Sequence, residues 1–577
     1  MRAVRANVLV VVDKSTLSNL SVGYMAQDLN QLAQRINGIT DHSPFAVYWE
    51  VREVASGQRV GQGGDRVVGA FSTRKVSVLL ACLALVHAQK LSLDDTYPID
   101  ASLKDGVQAG VMRNLSAGIE LSLRDHLAQM MITSDNICTQ VVFRAIEEAI
   151  GDALQWVNDY CVQLGMYNTL HREVFPRSAE LSWSHPIDAM TVTSASDQAL
   201  LLEHLAHGAR DEEHAEKLRL TTDLCELALE LMGHLYTPLL GAYVTQGRFV
   251  EKNGRGIRGL SQVGSLLDHQ GQPVASVAAF AECVPVELFD GTPGRVRAIE
   301  CFAAIGQVVE EAFLDGTPVP IVHRQVIEPD FWEQELGELL FAVEGGRAVN
   351  ADVEFTFSGI GKLFFAHALA GAAADYPDLL QRVIPIRAKH REHAETGTLR
   401  HLCGELRLTV DDAMRLVIGS GDGAAVRALL DHLESEGIDI LQRGRDSVAQ
   451  LPNTTIAGIE CTSAGEGFRG MTTANDVVAL LRQIINDDGP VMDWMSQVFE
   501  PGGLASTLPG YGPHTIQHWT VAGWERMYGC RLDEGRSSLM ILKCPKGYTG
   551  VVAHAPVGTH DVPAKFGSLG LSTLAST

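Results

Sequence analysis

Apolar residues at Leu20, Met25, Leu29, Leu32 and Ile36 recur near helical spacing, which predicts an amphipathic helix over 19–36. Residues 45–51 are rich in aromatic and β-branched side chains and read as a strand, with a turn at Gly57-Gln58 before the next. Residues 72–90 contain a long apolar run, 76–85, and read as a helix. Helical patterns follow over 122–165, broken by Ser134-Asp135-Asn136, and again over 195–206 and 222–236. Strands are expected at about 247–252, 259–267 and 273–284, and a helix over 295–314 closes the unit. Strands thus stand at both ends of the segment, with a helical block inserted between them.

The pattern then restarts. Residues 316–328, beginning Gly316-Thr317-Pro318-Val319-Pro320, read as a linker. A short helix over 330–338 precedes a strand, Leu340-Phe341-Ala342-Val343. The stretch from Phe355 to Lys362, ahead of an apolar helix, is similar to the stretch from Gly69 to Lys75. Leu408-Thr409-Val410-Asp411-Asp412 matches Leu121-Ser122-Leu123-Arg124-Asp125, and the same register lays Gly421-Asp422-Gly423 on Ser134-Asp135-Asn136. Val521-Ala522-Gly523 stands where a second Lys252-Asn253-Gly254 would be. One fold used twice accounts for this, with domains at 1–318 and 319–577.

Ser72 and Lys75 lie three apart at the start of a helix, so both side chains share a face. Ser is a weak nucleophile that needs an adjacent base, and a Lys whose pKa is lowered by burial can be that base. Alone the pair is a weak signal. Taken with Ser134-Asp135-Asn136 and Lys252-Asn253-Gly254, in this order, it resembles the serine β-lactamase and penicillin-binding-protein signature of S-x-x-K, S-D-N and K-T-G. Asn253 stands where that family usually has Thr or Ser. The resemblance covers roughly residues 15–315 and implies an α/β (α+β) fold. Each copy would be an antiparallel sheet flanked by helices.

The resemblance implies roles. Ser72 would be the nucleophile, and Lys75 would take its proton. Ser134 would relay a proton to the leaving group, and Lys252 would supply positive charge for an acidic substrate. Asn136 would hold the substrate amide. Asn253, Gly254 and Arg255 would line the substrate, with the N–H groups of Ser72 and Arg255 forming an oxyanion hole. Each residue also has a plainer reading, such as Asn136 as a helix cap and Lys252 as a solvated charge. Class A enzymes deacylate with a Glu in an Arg-x-Glu-x-x-Leu-Asn loop. Here the loop runs from His171 to Leu181, Val174 stands where that Glu belongs, and Glu173 and Glu180 are the candidates. Ser261 stands where the family places a carboxylate-binding Arg, leaving Arg255 or Arg258 as substitutes.

The second copy reads as degenerate. Lys362 stands four residues after Ser358 with Gly361 in the base's place, the loop lacks its hydroxyl and amide, and Val521 replaces the motif Lys. A structural or substrate-shaping role follows.

Composition narrows the setting. The chain has 577 residues, 46% of them hydrophobic, and a net charge of −24. That charge argues against nucleic acid and anionic membrane as partners. Ten scattered Cys and a five-residue apolar run at 8–12, too short for a signal peptide, give a cytoplasmic expectation. No cofactor is expected. His390 and His393 read as a charged surface helix rather than a metal site. The expected function is a serine hydrolase or acyltransferase forming an acyl-enzyme at Ser72 with a small amide, ester or lactam. The alternatives are a non-turnover binding or scaffold protein and a glutaminase-like amidase. The oligomeric state is left open.

Overall fold

Strand Leu260–Leu267 is buried at every position, as a strand in mid-sheet with both faces covered must be. It lies in a five-stranded antiparallel sheet ordered Arg59–Gln62, Ala46–Glu53, Pro273–Glu282, Leu260–Leu267, Arg248–Arg255. The second half repeats that order with Ala348–Val349, Leu340–Val343, Gly547–Ala555, Arg536–Cys544 and His518–Thr520. This computed structural model describes residues 29–314 and 338–576, apart from 177–180, 287, 290–293, 463–464, 488, 499–502, 507, 509–516, 522–535, 546, 558 and 560–561. The expected 318/319 boundary, the 316–328 linker, residues 330–337 and the first turns of the 19–36 helix lie outside the described residues.

On one face of the first sheet, helices Leu29–Thr40 and Gly294–Phe313 bury Leu32, Ile36, Phe302 and Ile305. On the other face stands the helical block. Its centre is helix Lys75–His87, whose residues 76–85 are at most 3% exposed. A helix apolar on every side has to be enclosed. Around it, 122–165 resolves into three helices, Leu123–Ile132, Asn136–Ile150 and Ala153–Gln163. Side-chain caps set their starts: Ser122 Oγ accepts from the Asp125 N–H at 3.1 Å, and Asp152 Oδ1 from the Gln155 N–H at 2.9 Å. The helix expected to reach 236 stops at Met232, ahead of Gly233 and Pro238. The strand expected to end at 252 runs on to Arg255, so all of Lys252-Asn253-Gly254 is strand.

The duplication extends to single hydrogen bonds. Thr169 Oγ1 meets Thr193 Oγ1 and Asp197 Oδ2, both at 2.7 Å. Thr454 Oγ1 meets Thr472 Oγ1 and Asp476 Oδ2, both at 2.8 Å.

The two helical blocks share one apolar core. Their contact is reciprocal. Asp125 accepts from the N–H groups of Cys403 and Gly404 at 2.7 and 3.0 Å. Asp412, its counterpart, accepts from the Ser116 N–H and hydroxyl at 2.8 and 3.1 Å. This is the contact pattern of an isologous dimer, made within one chain.

The charged surface helix expected around His390 is exposed at Lys389, Glu392 and His393, and only His390 turns inward. The helix Ala388–Arg391 is a single turn, and His390 is 4% exposed, its ring meeting Asp431 Oδ2 at 3.0 Å. Among the described residues there is no cluster of His, Cys, Asp or Glu that could hold a metal ion. Among them, too, no helix is long and apolar enough to cross a membrane.

Candidate active site

Ser72 is half-buried in a 3₁₀ turn, Phe71–Arg74, that leads directly into the central helix. The residue before it, Phe71, has φ 47°. That left-handed backbone is costly for an aromatic residue and persists only where the surroundings enforce it. The enforcement comes from the glycine-rich run after Lys252. A Cβ on Gly256 would sit 2.0 Å from the Phe71 ring, and one on Gly259 2.8 Å. The Gly256 N–H donates to the Gly259 carbonyl at 2.9 Å, closing the turn. These glycines therefore make both the turn and the slot for the Phe71 ring.

Lys75 is 1% exposed. Its Nζ donates to the Ser134 carbonyl at 2.6 Å, Ser134 Oγ at 3.2 Å and Asn136 Oδ1 at 2.7 Å. Burial, followed by the neighbouring Arg74 guanidinium, pushes its pKa down to about 7 against the pull of Asp135. With its pKa near 7 a substantial share of the amine is neutral at that pH, and the neutral form has the lone pair that proton abstraction needs.

Ser134 too is held in the left-handed region, at φ 55°. The loop is fixed by Asp135, whose Oδ1 caps Ile137 and Cys138 at 2.9 and 3.0 Å and whose Oδ2 accepts from the Met112 N–H at 2.9 Å. Burial raises the pKa of Asp135. Capping is thus the task of Asp135, which leaves the Asn136 side chain free for Lys75.

Strand Arg248–Arg255 lies directly behind Ser72: a Cβ on Gly254 would be 2.9 Å from the Ser72 nitrogen and 2.3 Å from Ser261 Oγ. Arg255, next along, ends the strand half-buried. Lys252 is fully buried, and its Nζ donates to Asn253 Oδ1 at 2.9 Å. Asn253 Nδ2 in turn donates to Thr237 Oγ1 at 2.9 Å. Asn in place of the family's Thr thus ties the motif lysine to the segment after helix Thr222–Met232. Ser261 Oγ turns inward to the Ala70 carbonyl at 3.3 Å. Arg258 pairs with Glu282 at 3.5 Å and donates to the His185 carbonyl. Arg258 is therefore engaged within the fold.

Glu173 is held by Arg74 and Thr191. Its Oε1 accepts from Arg74 Nη1 at 3.1 Å and Thr191 Oγ1 at 2.9 Å, and its Oε2 from the Thr191 N–H at 3.0 Å. Arg74 is 1% exposed, one residue from Lys75. Glu180 lies outside the described residues.

The second copy corrects its expected register. Lys362 does take the place of Lys75: a Cβ on Gly421, the counterpart of Ser134, would lie 3.2 Å from Lys362 Nζ. Gly421 keeps the left-handed backbone of Ser134, at φ 57°. Counting back three residues puts Gly359, not Ser358, in the place of Ser72. The lysine is thus retained in the second copy and the serine is lost. Lys362 pairs with Glu466 at 3.0 Å, both side chains at most 5% exposed. Glu466 comes from hairpin Thr455–Thr462 and Gly465–Thr472.

Several of these parts carry no local signature. Phe71, Arg74 and Thr237 act through partners distant in sequence. Only the spacing of Gly254, Gly256 and Gly259 hinted at a constraint.

No curated protein matches the sequence. Among solved structures, a β-lactamase from Sphaerobacter thermophilus is 22% identical, covers 50% of this chain and 100% of its own, and has a TM-score of 0.42. PBP-A is 20% identical, covers 50% and 97%, and scores 0.41. A β-lactamase from Xanthomonas campestris pv. campestris is 19% identical, covers 49% and 97%, and scores 0.41. A family model described as "Beta-lactamase enzyme family" matches residues 31–313 and again 342–535. With both halves matched, the chain belongs to the β-lactamase enzyme family, as a tandem of two such domains.

Proposed function

We propose that this protein is a serine hydrolase or acyltransferase that acts on an amide, ester or lactam through an acyl-enzyme at Ser72. The observation that carries the reading is Lys75. It is buried, one helical turn from Ser72, with its pKa pushed down to about 7 and its Nζ in contact with both Ser134 and Asn136. Neutral Lys75 takes the Ser72 proton as Oγ bonds to the substrate carbonyl carbon. The N–H groups of Ser72 and Arg255 receive the charge on the carbonyl oxygen, each donor being worth ~3 kcal/mol in the transition state. Ser134 Oγ passes a proton to the leaving nitrogen or oxygen as its bond to carbon breaks. Lys252 supplies positive charge, and Asn136, Asn253, Gly254 and Arg255 line the substrate.

Breakdown of the acyl-enzyme needs a base that aims water at the ester. Glu173 accepts three hydrogen bonds from Arg74 and Thr191, which leaves it a modest role. That observation favours transfer to an amine or alcohol over rapid hydrolysis. The test is intact-mass spectrometry with a penicillin-type or fluorophosphonate probe. One adduct on the wild type and none on Ser72→Ala is expected; undiminished labelling of the variant sinks the assignment. Turnover of a chromogenic cephalosporin beyond one equivalent, faster with added acceptor, separates a transferase from a protein that acylates once.

A further inference from the structure

We propose that Tyr236 is a positioning residue through which the second half of the chain holds the catalytic groups of the first. The inference rests on the acyl-enzyme reading above. Helix Leu123–Ile132 presents Ser134 and Asn136 to Lys75, and both of its ends are anchored to the other half. At its first turn, Asp125 accepts from the N–H groups of Cys403 and Gly404 at 2.7 and 3.0 Å. At its last residue, the Ile132 carbonyl accepts the Tyr236 N–H at 2.8 Å. The Tyr236 hydroxyl donates to the Ser420 carbonyl at 3.2 Å. Ser420 ends the counterpart helix Val410–Ser420, directly before Gly421.

The same dipeptide reaches the third motif. Thr237 Oγ1 accepts from Asn253 Nδ2 at 2.9 Å, and Asn253 Oδ1 accepts from Lys252 Nζ at 2.9 Å. Tyr236-Thr237 therefore bonds to the helix that carries Ser134, to the strand that carries Lys252, and to the second half. Tyr236 is 4% exposed, so no water substitutes easily for the Ser420 carbonyl. Catalytic groups have to be held to within about 0.5 Å, which demands a rigid supporting layer. The degenerate copy supplies that layer. On this account it is retained for the geometry of the first site and not for chemistry of its own.

The experiment uses the full chain and a penicillin-type probe, with Tyr236→Phe removing only the hydroxyl and Asp125→Asn weakening the other anchor. The expected result is a roughly tenfold slower Ser72 acylation at saturating probe. The half-saturating concentration should be unchanged, and the rising limb of the pH profile displaced as Lys75 loses its fixed partners. Acylation of the folded fraction at the wild-type rate and with the wild-type pH profile in both variants overturns the inference, even if melting temperatures fall. Should Tyr236→Phe not fold, Asp125→Asn decides by the same readouts. Normal labelling of the wild type with no effect in the variants leaves the acyl-enzyme reading standing. An unlabelled Ser72 in the wild type removes that reading and this inference together.

Discussion

At the scale of single residues the site depends on Lys75 being buried. Desolvation disfavours its charged form, Arg74 adds to that, and Asp135 opposes it, which leaves the pKa at about 7. The amine works as a base only when neutral. The acylation rate should therefore be flat above about 7 and fall tenfold per pH unit below it. Stopped-flow labelling across pH 5–9 (a range chosen to bracket about 7) checks this, and a profile without a rising limb near 7 removes Lys75 as the base. Lys75→Ala should slow acylation by roughly 10²- to 10⁴-fold. Glu173→Gln should act differently. It leaves Arg74 with a weaker acceptor, and its expected effect is a lower melting temperature rather than a lost deacylation step.

Among the elements, the glycine-rich end of strand Arg248–Arg255 and the 3₁₀ turn Phe71–Arg74 are built for one another. Gly256→Ala places a methyl 2.0 Å from the Phe71 ring. The ring then has to shift, and Ser72 follows it on the same turn. The expected cost is ~1–3 kcal/mol of stability, with slower acylation, read by denaturant melts and by probe kinetics. In the second half the place of Lys75 is taken by Lys362, paired with Glu466 at 3.0 Å. Removing one partner of a buried pair strands the other charge, so Glu466→Gln should cost ~3–5 kcal/mol. Ser358→Ala, by contrast, alters neither the Gly359 backbone nor Lys362, and turnover should stay within about twofold; a loss above tenfold, ~1.4 kcal/mol of barrier, would mean that the second site is active.

For the whole molecule, buried histidines set the acid limit. Burial pushes the pKa of His126 and His554 down to about 4 and that of His171 to about 3, from an ordinary 6.5. In the folded chain they stay neutral, whereas the unfolded chain takes up protons once the pH drops below 6.5. Stability is therefore fully present above that value and is lost as the pH falls toward about 4, by up to ~1.4 kcal/mol per pH unit for each histidine. Thermal melts between pH 7 and pH 4 should show it. His554 lies in the second half and the other two in the first. Because the halves share a core and reciprocal Asp125 and Asp412 contacts, one cooperative transition is expected rather than two.

What the sequence determined by itself was whatever is local or periodic. Ser72 and Lys75 share a face because helical spacing puts them there, and the restart of similar strings in the second half marks one fold used twice, whereas the strand order within each sheet came from the tertiary structure. The three motifs were legible because each is a short string. Their meeting in space, with Gly254 against the Ser72 nitrogen and Asn136 on Lys75, was decided by the tertiary structure. So was the register of the second copy: string matching aligned Ser358 with Ser72, but the burial of Lys362 beside Gly421 and Glu466 puts Gly359 there. The Phe71 slot, the Arg74–Glu173 pair, the burial of His390 and the Tyr236–Ser420 bond were equally unreadable. Each joins groups far apart along the chain, and nothing in the local spacing of either partner records the other.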